Sequence, residues 1–390
     1  MDFKNRKEIE TNMREPIRIL YWGMTSNIGG IESFIMNVYR NIDRTKVQID
    51  FLLNHAQEKI AFEDEIINLG GKIYRIMYSE RESLIKSRTE LDKFFREHSE
   101  FKAVHIHANF PYAFPLKYAK KYKIPLRILH SHNSNEDKNR GKGIKQFLRQ
   151  LRKVRVKRQI NKYPNMYIAC SDLAANFMFP MQKYVWIKNG IDINKYKFNQ
   201  KVREEIRKEI EANQDTYVIG FIGRLREQKN PFFLIDVYRE YLKLNHNSKL
   251  VIAGIGEWEA EVKKYAADLI GSKHILFLGQ RTDAEKLYQG FDCFLLPSLY
   301  EGLPVVLVEA QVAGLRCVVS DVITRQVDVT DLVEYYSLKK SAKEWANVIE
   351  TNRGDFQMKN RENYSQEMFE QGFDVRSVAK ELEMMYLEQK

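Results

Sequence analysis

The feature that most constrains this chain is a repeated alternation. Short apolar runs of strand length are separated by segments whose apolar residues recur at helical spacing, in two successive series. The first series runs through Ile17 to Met24, Val47 to Leu53, Lys72 to Ile76, Ala103 to His107, Leu126 to His130, Met166 to Ala169 and Lys183 to Ile187. The second runs through Tyr217 to Ile222, Leu250 to Ala253, Ile275 to Leu278, Cys293 to Leu296, Cys317 to Ser320 and Leu332 to Tyr335. Strands that alternate with helices imply mostly parallel sheets, because each parallel connection needs a crossover, usually a helix. Two series imply two sheets, and 390 residues suit two cores, since single cores stop growing at roughly 250–300 residues. The polar stretch Lys188 to Gln200, with Asn189 and Gly190, separates the series and reads as a linker. The expectation is an α/β fold of two Rossmann-like domains, residues 1–190 and 200–370. A terminal helix in 371–390 carries Val375, Val378, Leu382 and Met385 on one face; it suits packing on either domain, including a return to the first.

Composition excludes several classes. No apolar run approaches the roughly 18–20 residues that cross a bilayer, and Met1 to Pro16 lacks the apolar stretch of a secretory signal, so a cytoplasmic location is expected. The three cysteines, Cys170, Cys293 and Cys317, lie far apart without metal-ligand spacing, which argues against disulfides and against a zinc site. The net charge of +11 is unevenly placed: Lys138 to Lys162 holds eleven cations and no acid. Phe147, Leu148, Leu151, Val154 and Val156 are interleaved with them. That stretch reads either as a solvated helix face or as a basic amphipathic segment for an anionic membrane surface. Nucleic acid is the weaker partner, because no aromatic stacking platform accompanies the charge.

In parallel sheets ligands bind beyond the carboxyl ends of the strands, where helix amino termini offer free amides. Three places meet that rule. Asn27-Ile28-Gly29-Gly30 follows the first strand, and its glycines suit either a plain turn or close backbone approach to an anion. Gly223 to Pro231 follows the strand ending at Ile222, with Arg224 able to fork onto phosphate oxygens and Lys229 able to supply a mobile charge. Ser298 to Pro304 leads into the apolar helix Val305 to Ala313. Gly302 allows the turn, Pro304 suits the first helical position, and the exposed amides of the helix start suit an anion. Glu301 precedes that helix and Glu309 lies within it, where a charge needs a reason: sugar hydroxyls, or an arginine partner.

These loops, in this order, resemble the large retaining glycosyltransferase family 4, of GT-B architecture, and its bacterial exopolysaccharide and capsule enzymes in particular. The resemblance is carried by Gly29-Gly30-Ile31-Glu32, His130-Ser131-His132-Asn133, Lys188 to Asp192, Gly223-Arg224-Leu225 with Gln228-Lys229-Asn230, and Glu301 to Glu309, whose two glutamates have seven residues between them. It implies that Arg224 and Lys229 hold a donor diphosphate, Glu309 the nucleotide ribose and Glu301 the donor sugar, with Gly302, Leu303 and Pro304 completing the phosphate or sugar site. Gly30, beside Gly29, would face the phosphates across the cleft. Gly279-Gln280-Arg281 would meet the base, largely through backbone. His132, or its neighbour His130, is the expected active-site histidine, and loops after His107 and around Asn133 would line the acceptor side.

The implied chemistry is a front-face transfer that keeps the anomeric configuration. Its chief demand is to stabilise the departing diphosphate, which cations and helix-end amides do without a metal. No Asp-x-Asp pair is present to hold one. The expected substrates are a nucleotide sugar, UDP-linked by family frequency, and a saccharide acceptor of lipid-linked type. No cofactor is expected. Two rivals share part of this pattern: a UDP-sugar epimerase of the same architecture, and a non-catalytic module binding membrane or nucleic acid.

Overall fold

The computed structural model describes residues 15–26, 28–77, 84–135, 144–353 and 358–388. Asn27 and the start of the basic stretch, 136–143, lie outside them, and the side chains of 144–152 are likewise outside the description.

The first unit is a seven-stranded parallel sheet: β1 (Ile17–Trp22), β2 (Val47–Asn54), β3 (Ile73–Ile76), β4 (Phe101–Ala108), β5 (Leu126–Ser131), β6 (Met166–Ala169) and β7 (Val185–Trp186), in spatial order β3-β2-β1-β4-β5-β6-β7. The second is six-stranded and parallel: β8 (Tyr217–Ile222), β9 (Ser248–Ala253), β10 (Ile275–Gly279), β11 (Cys293–Leu296), β12 (Arg316–Ser320) and β13 (Val333–Tyr336), in order β10-β9-β8-β11-β12-β13. Central strands such as β8 and β11 are continuous apolar runs because helices cover both faces of a parallel sheet. β7 is shorter than the Lys183 to Ile187 run suggested: it is the sheet's edge strand, paired with β6 alone through Val185 and Trp186. All three cysteines are free and buried, Cys293 on β11 and Cys317 on β12.

Both sheets reverse strand order once, between β1 and β4 and between β8 and β11. At such a switch point the loops leave in opposite directions and open a crevice at the strand ends. The loops after β8 and β11 are the ones carrying Arg224, Lys229 and Glu301.

The chain crosses between the units twice, and the crossings lie side by side. Ile191 donates its amide to Phe373 O (2.9 Å), and Val375 donates to Ile191 O (2.9 Å). Gly190 must be small here, since a Cβ would stand 2.7 Å from Val378 Cγ2. After the second crossing, helix Val375–Leu387 packs on helix Gly30–Asn41 of the first unit. Val378, Ala379, Leu382 and Tyr386 enter that core at 2% exposure or less; Val378, Leu382 and Tyr386 each contribute roughly 1.5–3 kcal/mol of burial.

The basic segment forms helix Ile144–Lys162. Within its described side chains, Gln159 and Ile160 are buried, while Lys153, Val154, Arg155, Lys157 and Arg158 are exposed. No helix among the described residues is long and apolar enough to cross a membrane.

Candidate active site

β8 ends at Ile222, and a short 3-10 turn, Glu227–Lys229, leads through Asn230 in the left-handed region (φ 52°) to Pro231, the first residue of helix Pro231–Leu244. Asparagine tolerates that conformation and proline is preorganised for the position after it. The neighbouring strand ends are built to let this loop lie close. A Cβ on Gly254 would stand 2.0 Å from Gly223 O, and one on Gly256 2.3 Å from Leu225 O. Gly254-Ile255-Gly256 directly follows β9, a strand-end glycine signal that the sequence reading passed over.

The loops after β8 and β11 are bonded into one structure. Leu299 donates its amide to Gln228 O (2.8 Å), and Gln228 Nε2 donates to Tyr300 O (3.0 Å) and Glu301 Oε2 (3.2 Å). Lys229 Nζ donates to Glu301 Oε1 at 2.7 Å, with side chains only 13% and 8% exposed. The expected phosphate cation and the expected sugar carboxylate are thus each other's partners. Pro304 stands at the N-cap of helix Val305–Val312, one position earlier than expected, and supplies no capping side chain.

This assembly meets the first unit at three points. Gly302 faces the backbone of β5's loop so closely that a Cβ would lie 2.2 Å from His132 O, and its own carbonyl accepts from Ser171 Oγ (2.7 Å). Leu303 O accepts from Asn189 Nδ2 (2.9 Å). Arg224 Nη2 reaches Ile28 O (3.5 Å), and a Cβ on Gly29 would stand 2.9 Å from the same nitrogen. Gly30 opens helix Gly30–Asn41, with no side-chain cap from Gly29 and nothing within 4 Å of where its Cβ would be. Of the first-unit residues singled out in sequence, Gly29 and His132 are therefore brought against Arg224 and Gly302.

His107 and His130 lie elsewhere than an acceptor surface. Both are 0% exposed, and their rings, with His132's, pack against Phe34 of helix Gly30–Asn41 at centroid distances of 5.9, 5.3 and 5.2 Å. As expected of alternating strand positions, the His130 and His132 rings lie on one side, with centroids 4.0 Å apart and planes tilted by 30°. His132 Nε2 meets His107 Nδ1 (3.0 Å), while His105, unremarked in the sequence, bonds His130 Nδ1 (3.2 Å) and the Tyr386 hydroxyl (2.7 Å). Burial pushes His132 down to about 3 and the other three well below the ordinary histidine range, so the cluster is neutral at pH 7. His105, His107 and His130 each offer a nitrogen within 4.8 Å of the others, a potential metal-ligand group that sequence spacing did not announce. Asn133 spends its side chain within its own loop, donating to Asn135 O (2.8 Å) and accepting from the Ser134 amide (3.0 Å).

Glu309 is held by tyrosines, where an arginine was the alternative read in sequence. Tyr196 donates to Oε1 (2.8 Å) and Tyr288 to Oε2 (2.7 Å). Burial raises the Glu309 carboxyl above its usual range, and the two phenols oppose that shift. Gly279, which ends β10, is left-handed (φ 65°), and Gln280 after it is exposed. Arg281 is clamped by Asp283 and Glu209, which leaves mainly backbone for a ligand there.

Residues 28–195 match the family described as Glycosyltransferase Family 4, and residues 202–361 match Glycosyl transferases group 1. EpsF of Bacillus subtilis, named for glycosyltransferase activity, is 32% identical over 338 residues, 85% of this chain and 86% of EpsF. The chain belongs to glycosyltransferase family 4. Among other relatives, the capsular polysaccharide biosynthesis glycosyltransferase CapH of Staphylococcus aureus is 23% identical over 75% of this chain and 78% of its own. A galactosyltransferase of Escherichia coli acting from UDP-Gal onto alpha-D-GlcNAc-diphosphoundecaprenol is 34% identical over 37% of this chain and 38% of its own. The two facing sheets are the GT-B fold: HepE of Anabaena, solved in complex with UDP, superposes with a TM-score of 0.74 at 17% identity, over 95% of this chain and 100% of HepE. The match to transferases across both halves of this glycosyltransferase disfavours the epimerase and the non-catalytic module.

Proposed function

We propose that this glycosyltransferase moves a hexosyl group from a UDP-sugar to a lipid-diphosphate-linked saccharide during exopolysaccharide or capsule synthesis, with retention and without a metal. The observation that carries the reading is the convergence of Arg224, Lys229 and the Glu301 to Pro304 loop at the second sheet's switch point, facing Gly29 and His132. Arg224, Lys229 and the uncapped amides at Gly30 and Val305 supply positive potential for a departing diphosphate. On donor binding Lys229 exchanges Glu301 for phosphate and frees that carboxylate for the sugar hydroxyls. Glu309 takes the ribose, the backbone of Gly279 and Gln280 the base, and neutral His132 lies beside the transferred sugar. The His105, His107 and His130 group is wholly buried, with no exposed ring to meet a diphosphate.

UDP as the nucleotide is supported by the UDP complexes of HepE, and a lipid-linked acceptor by the Escherichia coli relative. Peripheral contact with anionic lipid at the cell's inner face is supported by the exposed cations of helix Ile144–Lys162. The testing experiment is a calorimetric titration of UDP, GDP and ADP into the native chain and Glu309→Ala. Saturable binding of UDP, weakened by the substitution, is the expected result; no binding by any nucleotide would overturn the donor site.

A further inference from the structure

Glu309 lies in the middle of an otherwise largely apolar helix, and each of its carboxylate oxygens accepts one phenol, Tyr196 at 2.8 Å and Tyr288 at 2.7 Å. The two phenols come from different places. Tyr288 is fully buried in helix Ala284–Gly290 of the second unit. Tyr196 ends the short helix Ile193–Tyr196, directly after the crossover whose Ile191 is bonded on both sides to the returning chain. Gln289 Nε2 holds the Tyr196 carbonyl (3.0 Å), which fixes that helix to the second unit as well.

A carboxylate has about four acceptor positions, two per oxygen. The phenols occupy one on each oxygen and leave one on each. Two acceptors, one per oxygen on a carboxylate held in place by both phenols, suit the two hydroxyls of a vicinal diol. A freely rotating carboxylate would accept a single hydroxyl almost as well.

We propose that Tyr196 and Tyr288 are positioning residues that lock the Glu309 carboxylate so that it selects a ribonucleoside diphosphate over its 2′-deoxy counterpart. The inference rests on the donor-site reading above, with Glu309 at the ribose. It makes the selectivity for the sugar of the nucleotide depend on a residue from the interdomain crossover. Tyr196 touches no substrate and acts through Glu309.

The test is calorimetric binding of UDP and 2′-deoxy-UDP to the native chain, Tyr196→Phe and Tyr288→Phe. Tyr241→Phe serves as a phenol-deletion control, since that hydroxyl bonds Glu350 instead. The native chain is expected to prefer UDP, and Tyr196→Phe is expected to weaken UDP about tenfold, the worth of one good hydrogen bond to a charged group, while changing 2′-deoxy-UDP by less than about threefold. The ratio between the two nucleotides therefore shrinks, which a merely structural role would not produce. Equal weakening of both nucleotides, or an unchanged ratio in both variants, overturns the proposal while the donor site stands. Absence of UDP binding to the native chain overturns the donor-site reading itself. Should Tyr288→Phe fold poorly, Tyr196→Phe decides the matter, because Tyr196 is only partly buried.

Discussion

Lys229 Nζ and Glu301 Oε1 stand 2.7 Å apart in a pair that is nearly closed to solvent. Breaking such a pair leaves one charge without its partner, at a cost of about 3 kcal/mol or more. Lys229→Ala is therefore expected to lower the unfolding free energy by about that amount and to weaken UDP at least tenfold. Glu301→Gln is expected to do the opposite for UDP, tightening it a few fold by releasing Lys229, while transfer slows. Paired denaturation and calorimetry check both; equal UDP affinity in all three chains would show that Lys229 does not meet the diphosphate.

Gly302 is a point where the two units touch without room for one carbon, a Cβ falling 2.2 Å from His132 O. Gly302→Ala must displace backbone, an overpacking strain of about 1–3 kcal/mol. Turnover is expected to fall more than tenfold with far-ultraviolet circular dichroism unchanged. Native turnover would mean that the two loops separate freely during the reaction.

The histidine cluster sets an acid limit. Folded His105, His107, His130 and His132 are held neutral by burial, the last titrating only at about 3, whereas unfolded histidines gain a proton near 6.5. Below that pH the unfolded state binds more protons, so stability is full above about 6.5 and is lost progressively as pH falls toward 3. Each histidine contributes up to about 1.4 kcal/mol per pH unit. Urea unfolding between pH 6 and pH 5 is expected to show a slope shallower by about 1 kcal/mol per unit in His130→Gln. Parallel curves would show that His130 is not buried as a neutral ring.

Leu382 is 0% exposed on a terminal helix that has crossed back to the first unit. Leu382→Ala is expected to destabilise by about 2–5 kcal/mol, as for a core leucine. A loss below 1 kcal/mol, measured by urea titration, would mean that the helix leaves its groove in solution.

In the proposed donor site Arg224 and Lys229 take the place of the charge that a metal would put on the diphosphate. Transfer from a UDP-sugar is expected to survive EDTA with less than a twofold change. Loss of turnover restored by magnesium or manganese would reverse that expectation.

Much of this protein was legible in one dimension because its signals are local. A strand buried on both faces, such as Phe294 to Leu296, must be apolar throughout, and Pro231 announces a helix start because its fixed φ suits the first helical position. Family 4 membership likewise followed from loop residues at strand ends, where spacing survives as pattern. What the sequence left open were relationships between residues far apart along the chain. Strand order put β8 beside β11 and so joined Lys229 to Glu301 across 72 positions; folding brought Tyr196 to Glu309 across 113. His130 reads as a site residue beside His132, and His107 as the start of an acceptor-side loop, but both rings are buried in the core against Phe34. The direction of the last helix was equally undecided, since an apolar face has no preferred partner by itself. Only the groove beside helix Gly30–Asn41, and the Tyr386 hydroxyl that it brings to Tyr21 and His105, settled where that face is buried.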